Sequence, residues 1–230
     1  MMLVQLLVGL LPASGVKNWM LGRLGHDVHT TASIAPTLIL GRVHLDIDAH
    51  ARIGPLNALR STNLRVGEHA EIGQLNWISA APFLVSESSV DIAGSLVLGA
   101  HSSLTNRHYL DTSGGVQVGA FATVAGVRSV FMTHGIEAAD NTLVTRAIRI
   151  GDYAMVGGSC KFVPGAVVPD RSIVGMGSVV IRGLTLAGAL YAGSPATFKR
   201  AATQGAYFSR TVGKVPVRPR TAKAPDATTS

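Results

Sequence analysis

The 230-residue chain has a single cysteine, Cys160. That excludes a disulfide framework and makes a reducing compartment, the cytoplasm, the plain reading. Charge is also scarce, at 14% against 47% hydrophobic residues, so the chain is ordered but short of the charge that covers helix surfaces. No run is long enough to span a bilayer. The apolar stretch Met1 to Pro12 falls far below the roughly 20 residues needed, and no positive charge precedes it as in a signal peptide. Leu3 to Leu24 instead reads as one or two short helices, broken at Pro12, Ser14 and Gly15, with Lys17 and Arg23 as a basic face. Such a segment either covers the end of the fold or touches a membrane as an interfacial helix.

The net charge of +7 is concentrated at one end. Lys199, Arg200, Arg210, Lys214, Arg218, Arg220 and Lys223 face only Asp226 after residue 198. With Pro216, Pro219 and Pro225 among Thr, Ala and Lys, the tail after Val212 reads as disordered and solvated. It lacks the aromatic interleaving or motif of a nucleic-acid binder, so no nucleic-acid partner is expected.

What the chain does have is a period of six. Aliphatic or aromatic residues fall at Ile150, Val156, Phe162, Val168, Val174 and Val180, with small side chains four places on at Ala154, Cys160, Ala166, Ser172 and Ser178. A helical period would spread these positions around an axis. A chain that turns a corner every six residues stacks them instead, with three short strands per triangular coil and each strand bonded to its equivalents above and below. One coil buries almost nothing alone, so the fold exists only as a stack.

Earlier in the chain the period persists with breaks. Val28, Ile34 and Leu40, then Ile47, Ile53 and Leu59, then Val66, Ile72 and Ile78 make three coils. Two further steps follow at Leu84 and Val90, after which Ile92, Leu98, Leu104 and Leu110 carry a shifted phase. A slip at Thr112 to Gly115 leads to Val118, Val124 and Val130. Between Val130 and Ile150 a loop, 132–146, must leave the prism, and long loops on rigid scaffolds tend to carry function. His134 stands where it departs, and an imidazole titrating near neutrality suits removal of a proton from a hydroxyl. The reading divides the chain into an apolar helical cap (1–27), the repeat domain (28–200) and the basic tail (201–230).

The block Val116 to His134, with Ile148 to Asp152, Val163 to Val180 and Gly193-Ser194-Pro195-Ala196, resembles the hexapeptide-repeat acyltransferases, more closely the galactoside, maltose and colanic-acid type O-acetyltransferases. The resemblance implies an all-β, left-handed parallel β-helix, a homotrimer, and acetyl-CoA as acyl donor without a metal. It makes His134 the general base and places Asn106, His108 and Asp111 in the stretch that orients a sugar acceptor. Gly157, Gly158, Gly175, Gly177 and Ser178 would line the groove for the pantetheine arm, where the alternative is that glycines merely turn corners. Arg182 and Arg200 would meet the nucleotide phosphates, and the backbone of Gly158 is a candidate oxyanion donor. Thr197 and Ile181 depart from the family pattern. The added N-terminal coils and helix resemble acyltransferases of cell-surface glycan assembly, which implies a lipid-linked or nucleotide-linked glycan acceptor at the cytoplasmic face of a membrane. Glu137 and Asp140 leave N-acylation open.

Two rivals stand beside this reading. The same prism serves gamma-class carbonic anhydrases, whose zinc needs three converging imidazoles; His44, His50, His69, His101 and His108 are numerous, but their spacing is not that family's. The other rival is an idle β-helix that scaffolds partners or binds a sugar.

Overall fold

The structure, a computed structural model, describes residues 2–181, 183–202 and 205–217. Three sheets of seven, nine and seven strands form the walls of a prism, all parallel except that Thr197–Ala201 closes the nine-stranded one antiparallel to Ala189–Ala192. The chain visits the first, second and third wall in turn before climbing to the next coil. Most strands are two to four residues long, because the corners come every six residues. Register holds each coil to the next: Val118 sits beside Ile150, and Ile150 beside Val168. Every residue of the Ile150 to Val180 series is buried in the core, each contributing about 1.5–3 kcal/mol relative to exposure. Cys160 occupies one of the small inward positions, and burial pushes its thiol up.

The first corner, between walls one and two, holds an outward column of stacked rings. His50, His69, His101, Phe121 and Tyr153 follow one another with centroids 4.8, 5.0, 4.7 and 4.7 Å apart. All five have positive φ, between 56° and 59°, a left-handed turn repeated from the second coil upward. The stack accounts for three of the histidines weighed as zinc ligands, since parallel rings do not converge on a point. His44 pairs with Asp27 at 3.3 Å, and among the described residues no group of three or more His, Cys, Asp or Glu could hold a metal ion.

Several expectations need correction. Ile39, not Leu40, points into the core of the first coil, because the corner at Ala35 and Pro36 is one residue shorter than those that follow. Phe131, not Val130, fills the core, since the strand Thr123–Val127 carries a register shift against Ser103–Asn106. Leu84 and Val90 are not coil positions. They belong to an excursion that begins with a short helix, Pro82–Glu87, whose Leu84 packs back on the prism.

The N-terminal helices are α1 (Met2–Gly9) and α2 (Gly15–Arg23), the latter capped by Ser14, which accepts from the Lys17 N–H at 3.2 Å. Lys17 is not part of a basic face: it is wholly buried. The start of the C-terminal segment packs against the prism through Tyr207, Phe208 and Arg210, whereas Val212, Val215 and Val217 are exposed. Phe208 is buried, the Tyr153 hydroxyl donates to the Arg210 carbonyl at 3.1 Å, and the Arg210 guanidinium lies over the Tyr207 ring at 4.0 Å. The remainder of the tail lies outside the described residues.

Candidate active site

The excursion 132–146 is an antiparallel hairpin of His134–Glu137 and Thr142–Thr145, leaving the third corner, between walls three and one. Its base is closed by the Arg146 N–H, which donates to the Thr133 carbonyl at 2.8 Å. Arg146 also pairs with Glu137 at 3.2 Å. The hairpin rests on the corner of the preceding coil, at Gly114. A Cβ there would lie 2.8–2.9 Å from the backbone of Thr133 and Arg146, so only glycine lets the two turns meet.

Asp111 ends its strand beneath this hairpin, buried with a side chain 8% exposed. One carboxylate oxygen, Oδ1, accepts from the Ser113 hydroxyl at 2.6 Å and the Ser113 N–H at 3.1 Å. The other, Oδ2, accepts from the Thr133 hydroxyl at 2.6 Å, the Thr133 N–H at 2.8 Å and His134 Nδ1 at 2.8 Å. Burial acts to raise the carboxyl pKa, but the bonds from Ser113, Thr133 and His134 outweigh it and hold the group below the usual carboxylate range. Asp111 is therefore ionised and acceptor-only, which obliges His134 Nδ1 to carry a proton, so that in the neutral ring the lone pair is on Nε2. The imidazole is 32% exposed, and its Nε2 has no hydrogen-bond partner among the described residues.

This geometry corrects the assignment of Asp111 to acceptor contact: its oxygens are committed to the protein, and what it does is orient His134. Its partners Ser113 and Thr133 went unnoticed in the sequence, where the only signal was the slip at Thr112 to Gly115. The polar cluster continues down the corner, with Thr112 and Thr62 hydroxyls 2.8 Å apart and the Ala81 N–H donating to Ser113 Oγ at 3.0 Å.

His108 is likewise not an acceptor contact. It belongs to a buried ladder at the second corner, between walls two and three. Asn57 Oδ1 accepts from Asn76 Nδ2 at 3.0 Å, Asn76 Oδ1 from the His108 N–H at 2.8 Å, and His108 Nδ1 from the Ser129 N–H at 3.1 Å. Nε2 of His108 must then carry the proton, 3.1 Å from Thr105 Oγ1, and burial lowers the ring's pKa to about 4. Asn106 stands at the same corner, half-buried, accepting from the Gln74 N–H at 2.8 Å.

Gly157, Gly158, Gly175, Gly177 and Ser178 also line this second corner, away from His134. Gly157 is demanded by stacking, since a Cβ would sit 2.7 Å from Met176 N, whereas Gly177 has open space beside it. Gly158 packs against Val127 and Gly126. The Ser178 hydroxyl donates to the Gly175 carbonyl at 2.6 Å and accepts from the Gly193 N–H at 3.2 Å. Arg200 is exposed on the strand Thr197–Ala201, and Arg182 lies outside the described residues. Within one chain, His134 and the glycine corner are separated by the width of the third wall.

No protein-family profile matches the sequence, and no curated protein sequence does either. Solved structures do match. A hexapeptide transferase family protein from Anaplasma phagocytophilum superposes with a TM-score of 0.52 at 18% identity, over 72% of this chain and 83% of that one. A hexapeptide-repeat containing acetyltransferase from Vibrio cholerae gives 0.50 at 17%, over 60% and 74%. The polysialic acid O-acetyltransferase OatWY gives 0.50 at 16%, over 86% and 90%. The likeness establishes the fold, a left-handed parallel β-helix of hexapeptide-repeat coils.

Proposed function

We propose that the chain is an acyl-CoA-dependent O-acyltransferase that moves an acetyl group from acetyl-CoA to a hydroxyl of a sugar or glycan intermediate. The observation that carries this reading is the buried Asp111 carboxylate holding His134 Nδ1 at 2.8 Å, so that a basic Nε2 is presented where the hairpin leaves the prism. Proteins with this fold that are named acetyltransferases, one of them acting on polysialic acid, add support.

In this mechanism His134 Nε2 takes the proton of the acceptor hydroxyl as its oxygen attacks the thioester carbonyl. Asp111 stabilises the imidazolium that results. When the tetrahedral adduct collapses, the C–S bond breaks and His134 returns the proton to the departing thiolate. No covalent enzyme intermediate is needed, only a base and an oriented hydroxyl. A hydroxyl acceptor is favoured over an amine by the loop acids: Glu137 is engaged by Arg146, and Asp140 by Thr142.

The groove for acetyl-CoA belongs, in this reading, to the open side of the second corner around Gly177, with Arg200 toward the phosphates. Because that corner and His134 lie on opposite edges of a wall, one copy would supply the base and its neighbour the groove, which is the reason to propose an oligomer, a homotrimer by the resemblance to the hexapeptide-repeat acyltransferases. The proposed setting is the cytoplasm, with a lipid-linked or nucleotide-linked glycan as acceptor.

The test is release of free CoA thiol from acetyl-CoA with a panel of mono- and oligosaccharides. Wild type should turn over an acceptor, and His134→Ala should fall by about a hundredfold or more while remaining folded. No acetylated acceptor and no acetyl-CoA binding would return the chain to the scaffold reading.

A further inference from the structure

The end of the prism formed by α1 and α2 presents apolar side chains to solvent. Met2, Leu3, Val4, Leu7, Val16 and Trp19 are 49–69% exposed, all of them on these two short helices. The inner side holds Val8 and Leu21, but also three buried polar side chains. Lys17 Nζ donates to the carbonyls of Gly9, Leu11 and Ala35 at 2.8, 2.9 and 3.0 Å. Asn18 Nδ2 donates to the Ala32 carbonyl at 2.8 Å, and Gln5 Nε2 to that of Val43 at 3.3 Å. The lysine joins the end of α1 to the first coil, so the cap is fixed in place. Its apolar face is held outward by specific bonds and is not a frayed end.

Charge narrows what can cover it. Residues 1–26 contain no Asp or Glu, and exposed Arg23 and Arg42 border the patch, Arg42 sharing a cleft with Met2 and His44. The first acid of the chain, Asp27, is exposed and paired with His44 at 3.3 Å. At eight residues α1 is about 12 Å long, and no helix among the described residues is long and apolar enough to cross a membrane. Leucines with a tryptophan on one side, and arginines at the rim, suit a surface that is apolar at depth and anionic at its headgroups.

We infer that this end of the prism docks in the plane of an anionic lipid bilayer, with the leucines of α1 and Trp19 in the interface and Arg23 and Arg42 at the headgroups. The inference does not depend on the acyl-transfer reading. The full chain is co-sedimented with vesicles of phosphatidylcholine and phosphatidylglycerol in equal parts, and with phosphatidylcholine alone. Wild type should partition onto the anionic vesicles, and Leu3→Glu with Leu7→Glu, both at exposed positions, should lose at least about tenfold with an unchanged circular dichroism spectrum. Arg42→Glu should weaken binding to the anionic vesicles only. Absence of wild-type binding overturns the proposal, as does a double variant that binds like wild type. So does a wild type that ignores vesicles but whose oligomer is broken by the double variant in sedimentation velocity, which would make the patch a contact between copies.

Discussion

Two buried polar ladders run up corners of this prism, and each contains a histidine. At the second corner, His108 is 2% exposed, with Nδ1 accepting from Ser129 and Nε2 beside Thr105. At the third corner, His134 is 32% exposed and commits only Nδ1, to Asp111. The same side chain is thus a strut in one place and, in the proposed reaction, the base in the other. What separates them is whether the second nitrogen has a protein partner, and that follows from whether the corner is closed by the next coil or opened by a hairpin.

The largest effect that would sharpen this contrast is at Asp111. Asp111→Ala leaves the Thr133 and Ser113 donors buried without an acceptor and frees the His134 ring. It should cost roughly 3–5 kcal/mol in denaturant unfolding and lower acetyl transfer by about one to three orders of magnitude. Because the folded carboxyl pKa lies below its ordinary value of 3.8, the stability that Asp111 contributes is fully present above about pH 4. It is lost as the pH falls through the lowered value, and wild-type minus variant stability measured down to pH 2 should show that loss.

Next comes His108, whose replacement should disturb stability and spare chemistry. The folded ring titrates at about 4 against 6.5 ordinarily, so the unfolded chain binds the proton first. Stability should be full above pH 6.5 and should decline toward pH 4, by up to about 3 kcal/mol. In His108→Asn that slope should flatten. A variant that keeps the slope, or loses activity as His134→Ala does, would break the distinction between strut and base.

A smaller effect is expected at Gly114, where an added methyl meets the base of the hairpin. Gly114→Ala should cost roughly 1–3 kcal/mol and reduce turnover by displacing His134, whereas Gly177→Ala, with open space beside it, should cost less through its positive φ alone.

Much of this was legible from spacing. The unbroken series Ile150 to Val180 fixed coil length and core, because identical coils can stack only if inward residues recur in phase. The hairpin was visible as a gap between Val130 and Ile150, and His134 as the imidazole at its root. Asp111 was found but misassigned, and Ser113 and Thr133 were not found at all. The Thr133 and His134 contacts join residues about twenty apart in sequence through the vertical neighbourhood of one corner, and Ser113, two residues from Asp111, lies inside the slip itself. Where the period slips, sequence distance no longer gives the coil partner. Leu40 and Val130 missed by one residue for the same reason, a corner shortened at Pro36 and a strand shifted at Val127.

The outward face of α1 and the buried state of Lys17 show the same limit from the other end of the chain. Sequence alone determined that the chain is a stack of six-residue steps, since periodic burial is a local property written in residue type. Tertiary structure alone decided which polar groups are spent inside the protein and which remain for solvent. A hydrogen bond is satisfied by whatever stands opposite it in the neighbouring coil, and that neighbour is set by how the corners stack.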